Sequence, residues 1–203
     1  MDEHLMTPDR VSTRSQRWAL RAFALIGWRF RFKDLPGPRG VVVVYPHTSN
    51  WDFMVGILAK WAMGLPFHFI AKASLFEGIT GATVGRFLRY VGGVPIERST
   101  ATGAISRFAE KMKAADHYWL VITPEGTRSY QANWRSGFYH IALAAEVPVA
   151  CAYFDFKRKE IGMVDYLTMT GDAAQDLASL RQVFAGHEGC HAAHAAPIVF
   201  KDE

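Results

Sequence analysis

The sequence predicts a single α/β domain built on a mixed, mostly parallel sheet with helices on its faces. Short runs of β-branched and aromatic residues alternate with longer segments whose apolar residues recur at helical spacing, and Gly or Pro separates them. Strands that alternate with helices usually lie parallel, because each helix carries the chain back across the sheet. We expect a tail and helix over residues 1–35 and the main domain over residues 36–203.

The composition narrows the classes of partner. The net charge of +4 suits anionic partners such as phospholipid headgroups, and no basic run with interleaved aromatic residues indicates nucleic-acid binding. Half of the residues are hydrophobic, which indicates that part of the exposed surface is apolar and functional. We expect this surface to contact lipid. Cys151 and Cys190 match no paired spacing, so both are expected to stay reduced in a cytoplasmic protein.

The first predicted helix spans residues 14–32. Its apolar residues share one side of a helical wheel and its arginines the other, with Trp18 and Trp28 at the borders. Its longest uncharged run, residues 22–28, is far shorter than the roughly 20 residues that a membrane span needs. We expect an amphipathic helix that lies in the headgroup layer of a membrane, with an ordinary helix packed on the domain as the alternative.

The remaining predicted elements alternate between strand and helix along the chain. A buried strand at residues 41–44 leads to a helix that begins within one residue of Asn50, which is a good N-cap residue. Further strands are predicted at 66–71, 94–96, 118–123 and 147–154, an edge strand at 161–170, and further helices at 81–90, 100–115, 137–145 and 172–185.

His47 and Asp52 stand where the first buried strand turns into a helix. A His just before a helix and an Asp in its first turn can fold back on each other. A carboxylate that accepts one imidazole N–H fixes the tautomer and leaves the other nitrogen free to take a proton from a hydroxyl. The pair is a candidate general base without a serine nucleophile, although this spacing alone also arises by chance.

Further polar residues follow two other predicted strands. Arg98 comes after one, and Glu125 and Arg128 come after the next. Because ligands bind at the carboxyl ends of strands in α/β sheets, we expect these residues to converge with His47 on one edge. Guanidinium groups suit phosphate recognition, and Gly126 lets the backbone approach a ligand. A buried ion pair between Glu125 and Arg128 that braces the turn is the alternative reading.

Four segments together resemble the motif blocks of the glycerolipid acyltransferases. HTSNWD resembles the His-x4-Asp block, GGVPIERS the second block, PEGTRS the Glu-Gly-Thr-Arg block, and VPV the weaker fourth block. Their order and intervals agree over residues 41–154, and KASLF and WRSGFYHIA suggest the compact bacterial branch. The resemblance implies the same α/β fold and an O-acyltransferase of the 1-acylglycerol-3-phosphate type.

The resemblance also implies roles for individual residues. His47 would deprotonate the acceptor hydroxyl, Asp52 would orient His47, and the acceptor would attack the thioester of acyl-CoA or acyl-carrier-protein directly. The acceptor would be a lysophospholipid such as 1-acylglycerol-3-phosphate, bound by Arg98, Glu125, Gly126, Thr127 and Arg128. No metal or other cofactor is expected. The implied location is the cytoplasm, peripherally at the inner face of the cell membrane.

Two other functions stay open. The same scaffold could be a non-catalytic lipid- or acyl-binding module. Alternatively, HEGCH at residues 187–191, with His194 nearby, fits the His-Glu-x-x-His pattern of a zinc-dependent hydrolase. Gly186 and Gly189 interrupt the helix that this pattern needs, so the expected structure there is a solvated tail.

Overall fold

The computed structural model describes residues 3–96 and 103–201. The strands are β1 (Glu3–Leu5), β2 (Arg29–Lys33), β3 (Arg39–Val44), β4 (Phe67–Lys72), β5 (Gly93–Ile96), β6 (Tyr118–Ile122), β7 (Val149–Asp155) and β8 (Glu160–Leu167). The helices are α1 (Arg14–Leu25), α2 (Trp51–Met63), α3 (Gly78–Thr80), α4 (Arg86–Tyr90), α5 (Ala104–Ala114), α6 (Gly137–Ala145) and α7 (Ala173–Phe184). A π-helical turn, Gly81–Gly85, joins α3 to α4, and 3-10 turns lie at Pro8–Arg10, Ala73–Phe76 and Ala192–His194.

All eight strands form one sheet in the order β1-β2-β8-β7-β3-β6-β4-β5. The strands β7, β3, β6, β4 and β5 run parallel to one another. β8 is antiparallel to β7, β2 is parallel to β8, and β1 is antiparallel to β2. The sheet is therefore mixed and mostly parallel, as predicted. The five parallel strands end on one side, which we call the carboxyl edge.

β3 lies at the centre of the hydrophobic core. Val41 and Val43 pack against α5, α6 and α7 on one face of the sheet, whereas Val42 and Val44 pack with α1 and α2 on the other. Because both faces of β3 are buried here, the side chains on both must be apolar, and this explains the run of four valines. The end of β3 and the residues after it therefore fall in the middle of the carboxyl edge.

The first helix is shorter than predicted. α1 ends at Leu25 rather than at residue 32, because Gly27 adopts a φ of 72° and Trp28 donates its amide back to the last turn. Arg29–Lys33 forms β2, in which charged and aromatic side chains alternate between exposed and buried positions. The N-terminal part of the chain therefore supplies two strands, β1 and β2, to the sheet.

The apolar face of α1 packs on the domain. Its buried residues are Ala19, Leu20 and Phe23. Gln16 donates from its side chain to the carbonyl of Met63, and the rings of Trp18 and Trp61 lie 5.9 Å apart. The first turns of α1 therefore lie beside the last turns of α2, and the two helices run antiparallel. The face that we expected in the headgroup layer is buried in the protein.

Most other elements lie within a few residues of their predicted positions. The exception in the sheet is β8, which is predicted at an edge but lies inside the sheet because β2 pairs with its outer side. The predicted start of α5 at residue 100 lies outside the described residues, and α5 begins after Gly103. No helix in residues 3–96 and 103–201 is long and apolar enough to cross a membrane.

The contact between Gly40 and the ring of Trp119 gives a test of the core. A β-carbon at Gly40 would lie 2.2 Å from a ring carbon of Trp119, whose side chain is fully buried. We expect Gly40→Ala to lower the free energy of unfolding by about 1–3 kcal/mol in urea denaturation, because the buried ring has no space to move into. Gly37→Ala, where a β-carbon would meet nothing within 4 Å, is the control. Equal stability of the two variants would contradict this packing.

Candidate active site

His47 lies in the turn between β3 and α2 at the carboxyl edge. Its Nδ1 is 3.0 Å from Oδ2 of Asp52, which stands in the first turn of α2. The two atoms lie within ion-pair distance but do not form a hydrogen bond of good geometry. The structure thus brings the two side chains together across the start of the helix.

The start of α2 fixes the carboxylate of Asp52. Oδ2 accepts hydrogen bonds from the backbone amides of Thr48 at 2.8 Å and Ser49 at 2.9 Å, and the side chain is 1% exposed. The N-terminus of a helix carries partial positive charge, which stabilises an anionic side chain there. With Nδ1 turned towards this carboxylate, Nε2 of His47 is the nitrogen available as a base.

Glu125 holds the His47 turn from the other side. It follows β6, and its Oε2 accepts from the backbone amide of His47 at 2.6 Å. Its Oε1 accepts from the amide of Ala196 at 3.0 Å. Burial raises the pKa of Glu125 to about 7, and the two amide hydrogen bonds oppose that rise. The described partners of Glu125 are these amides, in place of the Arg128 guanidinium that the ion-pair reading requires.

The C-terminal segment, residues 186–200, packs over the same turn. The amide of His191 donates to Oγ1 of Thr48 at 3.1 Å, and the hydroxyl of Tyr45 donates to the carbonyl of Ala196 at 2.9 Å. Most of these contacts use backbone groups of the segment. The segment therefore packs against the turn that carries His47 and supports it. The prediction of a solvated tail is wrong.

The HEGCH sequence lies in this irregular segment rather than on a helix. The ring of His187 stacks on Tyr153 with centroids 3.6 Å apart, and its Nδ1 is 3.5 Å from Oδ2 of Asp155. Over residues 3–96 and 103–201, no group of three His, Cys, Asp or Glu side chains is placed to hold a metal ion. The pattern does not build the helical His-Glu-x-x-His motif of a zinc hydrolase.

A cavity of about 520 Å³ opens beside His47 and Asp52. Gly126, Thr127 and Arg128 also line it. The remaining walls are mostly apolar and come from α2, from one face of the sheet and from the segment after β4; they include Phe53, Ile57, Phe69, Leu75, Val84 and Met163. An apolar cavity of this size suits an aliphatic chain whose reactive end lies at His47.

Most of the predicted site residues meet at this edge. His47, Asp52, Gly126, Thr127 and Arg128 line the cavity, and Glu125 lies buried behind the turn. Arg98 falls outside the described residues. Sequence reasoning missed the contact of Ala196, because a backbone amide leaves no signal in the side-chain pattern. It also missed Lys60, which lines the cavity, donates to the carbonyl of Val91 and has a pKa lowered by burial.

Comparison with known proteins decides the family. The model of the family described as Acyltransferase matches residues 29–155. The chain belongs to the acyltransferase family. The family inferred from the motif blocks is confirmed.

The fold is similar to a crystal structure of the 1-acyl-sn-glycerophosphate (LPA) acyltransferase PlsC from Thermotoga maritima. The TM-score is 0.56 at 20% identity, over 83% of this chain and 74% of that one. This similarity confirms the predicted fold class. None of the curated proteins searched matches this acyltransferase.

Glu125→Gln tests the titration of the buried carboxylate in this acyltransferase. Since burial raises its pKa from 4.5 to about 7, the folded protein holds this proton more tightly than the unfolded chain does. The stability that it contributes is present below pH 4.5 and is lost as the pH rises to 7, by up to about 3 kcal/mol. Urea titrations should show the free energy of unfolding of the wild type falling over that window relative to Glu125→Gln.

The exposed Glu110 on α5 offers a matched control. Glu110→Gln should keep the pH dependence of the wild type. If Glu125→Gln also keeps it, the raised pKa of Glu125 is wrong.

Proposed function

We propose that this acyltransferase moves a fatty acyl group from a thioester donor, acyl-CoA or acyl-carrier-protein, to the hydroxyl of a lysophospholipid such as 1-acylglycerol-3-phosphate. The observation that carries the proposal is the His47–Asp52 pair at the wall of the 520 Å³ apolar cavity. Direct acyl transfer needs a general base beside a site for an aliphatic chain, and this pair and this cavity are suited to those two roles. The name of the Thermotoga maritima neighbour supports the acceptor class.

In the proposed reaction, Nε2 of His47 takes the proton of the acceptor hydroxyl as its oxygen attacks the thioester carbonyl. Asp52 stabilises the imidazolium that forms. The tetrahedral intermediate then collapses, the carbon–sulfur bond breaks, and the leaving thiolate takes the proton back from His47. The products are the acylated acceptor and a free thiol, so His47 returns to its neutral state without an acyl-enzyme.

The acceptor phosphate is assigned to Arg98, Gly126, Thr127 and Arg128. The placement of the last three in the wall of the cavity beside His47 supports this assignment. Gly126 has a φ of 66°, and a β-carbon there would lie 2.8 Å from Nε of Arg135, so the turn is closely packed where it meets the cavity. Glu125 contributes through the backbone of the His47 turn.

Peripheral membrane binding is assigned to exposed apolar side chains around the cavity. Leu25 ends α1 and is 88% exposed, and Trp51 and Met54 are exposed at the start of α2. Because α1 and α2 run antiparallel, all three lie at the end of the helix pair that faces the carboxyl edge. Trp51 and Met54 flank Asp52 and Phe53, which line the cavity.

A second apolar group lies in the helical segment after β4. Leu75 and Val84 line the cavity and are also partly exposed, and Ile79 beside them in the chain is 90% exposed. Exposed cations accompany this group at Lys72, Arg86 and Arg89. Apolar side chains interleaved with cations suit an anionic bilayer surface. The membrane contact is thus formed by helix ends and this segment rather than by the long face of α1.

Thiol release from a long-chain acyl-CoA, with and without lysophospholipids, tests the proposed reaction. We expect His47→Ala to lower acceptor-dependent release by about 10²–10⁴-fold, the usual contribution of a general base. His140→Ala, an exposed histidine on α6, should leave the rate unchanged. If His47→Ala releases thiol at the wild-type rate, the proposed chemistry is wrong.

Vesicle sedimentation tests the proposed membrane surface. Leu25→Ser combined with Ile79→Ser removes its two most exposed side chains, which the fold does not need. We expect binding to vesicles with anionic headgroups to fall about tenfold, because both side chains lose their apolar burial in the bilayer. Trp18→Ser, an exposed residue in the first half of α1, is the control. Unchanged binding of the double variant would place the membrane contact elsewhere.

A further inference from the structure

A second cavity of about 360 Å³ lies at the carboxyl edge beyond β7. Three arginines line it, two from β2 and one from the turn between β7 and β8: Arg29, Arg31 and Arg158. We call these residues the arginine pocket. Their side chains are 58%, 44% and 55% exposed, respectively, so each guanidinium reaches solvent. The other lining residues are Leu5, Glu160 and His187.

Two buried carboxylates hold the arginine pocket in place. Glu160 lies 3.4 Å from Arg29 and 3.6 Å from Arg31, and it also accepts a hydrogen bond from the hydroxyl of Tyr153 at 2.8 Å. Asp155, which is 1% exposed, lies 2.9 Å from Nη1 of Arg158. A guanidinium has five N–H donors, more than one carboxylate accepts, so Arg29 and Arg158 keep donor capacity for a further anion.

The arginine pocket and the predicted acceptor residues lie on opposite sides of His47. His47 follows β3, and Gly126, Thr127 and Arg128 follow β6 on one side of it in the strand order. The arginine pocket belongs to β7, β8 and β2 on the other side. Tyr153 of β7 is among the residues that line the main cavity, and its hydroxyl donates to Glu160, so one residue of β7 connects the two cavities.

The C-terminal segment sets an upper limit on the separation of the two sites. Nη1 of Arg158 donates to the carbonyl of Gly186 at 3.4 Å, and the amide of His191 donates to Thr48 in the catalytic turn. Five residue steps lead from Gly186 to His191 and span at most about 18 Å when fully extended, so with the two hydrogen bonds Arg158 and Thr48 lie within roughly 25 Å of each other. The extended pantetheine arm of CoA is a chain suited to such a span.

We propose that Arg29, Arg31 and Arg158 bind the phosphate groups of the CoA part of an acyl-CoA donor, with its thioester at His47. This rests on the proposed acyl transfer and extends it by choosing the donor. Guanidinium groups bind phosphate oxygens through paired, charge-assisted hydrogen bonds. A small concave pocket with arginines fixed by buried carboxylates fits phosphate groups better than the broad acidic surface of a carrier protein.

Calorimetric binding of two unreactive thioethers, S-octyl-CoA and S-octyl-pantetheine, tests this site. The ligands share the acyl and pantetheine parts and differ in the phosphates. We expect Arg29→Gln and Arg158→Gln each to raise the Kd of the CoA ligand about tenfold and to leave the Kd of the pantetheine ligand unchanged. Arg14→Gln, an exposed arginine in the first turn of α1 at the opposite edge, should change neither.

Unchanged affinity for the CoA ligand in Arg29→Gln overturns the proposal, as does an equal loss for both ligands. Arg158 contacts the buried Asp155, so Arg29→Gln decides the matter if Arg158→Gln does not fold. If the variants lower transfer from acyl-carrier-protein but not affinity for the CoA ligand, the surface docks a protein and the proposal fails.

The same binding data separate this site from the reaction itself. Arginine-dependent binding of the CoA ligand without thiol release would keep the pocket and overturn the acyl transfer. Thiol release from acyl-CoA, together with binding of the CoA ligand that does not depend on the arginines, would support the acyl transfer and overturn the arginine pocket.

Discussion

The hydrogen bond between the amide of His47 and the buried carboxylate of Glu125 joins two turns that leave neighbouring strands. β3 and β6 pair directly, so both turns emerge side by side at the carboxyl edge. A carboxylate removed from water is costly unless its oxygens are satisfied, and Glu125 satisfies both with backbone amides. The position of His47 is therefore fixed by the need to satisfy Glu125.

The turn at residues 124–128 (PEGTR) places its side chains on two different sides, and Gly126 stands between them. Glu125 is directed inward to the His47 turn, whereas Thr127 and Arg128 line the cavity. Gly126 lies between them in a left-handed conformation that other residues rarely adopt, within a turn in which its amide donates to the carbonyl of Thr123. One short segment thus supports the His47 turn from behind and forms part of the cavity wall in front of it.

Local signals were enough to predict the parts of the site that depend on one segment. The four valines of β3, the start of α2 at Asn50 and the bounds of α6 all follow from patterns within a few residues. The end of α1 is harder to predict, because the helical pattern of apolar residues over 14–32 continues past it, although Gly27 marks the end and residues 29–33 alternate with a period of two.

Features that depend on tertiary pairing left weaker signals. The first four residues of β8 are buried in succession, as expected of an internal strand, but only the pairing with β2 places β8 inside the sheet. The contacts of the C-terminal segment run through the amides of His191 and Ala196, which every residue type except proline could supply. The convergence of the motif blocks is predictable because parallel strands end on the same side of the sheet. The packing of the C-terminal segment behind them is not.

Burial of the apolar face of α1 changes where a membrane would meet this acyltransferase. If the long face of α1 lay in the headgroup layer, the bilayer would face the side of the helix pair, away from the turn that carries His47. Exposed Leu25, Trp51 and Ile79 instead cluster towards the carboxyl edge, where the cavity also opens. A lysophospholipid hydroxyl lies next to its headgroup, so a base at this edge reaches it while the lipid stays at the depth of the headgroup layer. The same edge at which the parallel strands end therefore carries the proposed base, both proposed phosphate sites and the proposed bilayer surface.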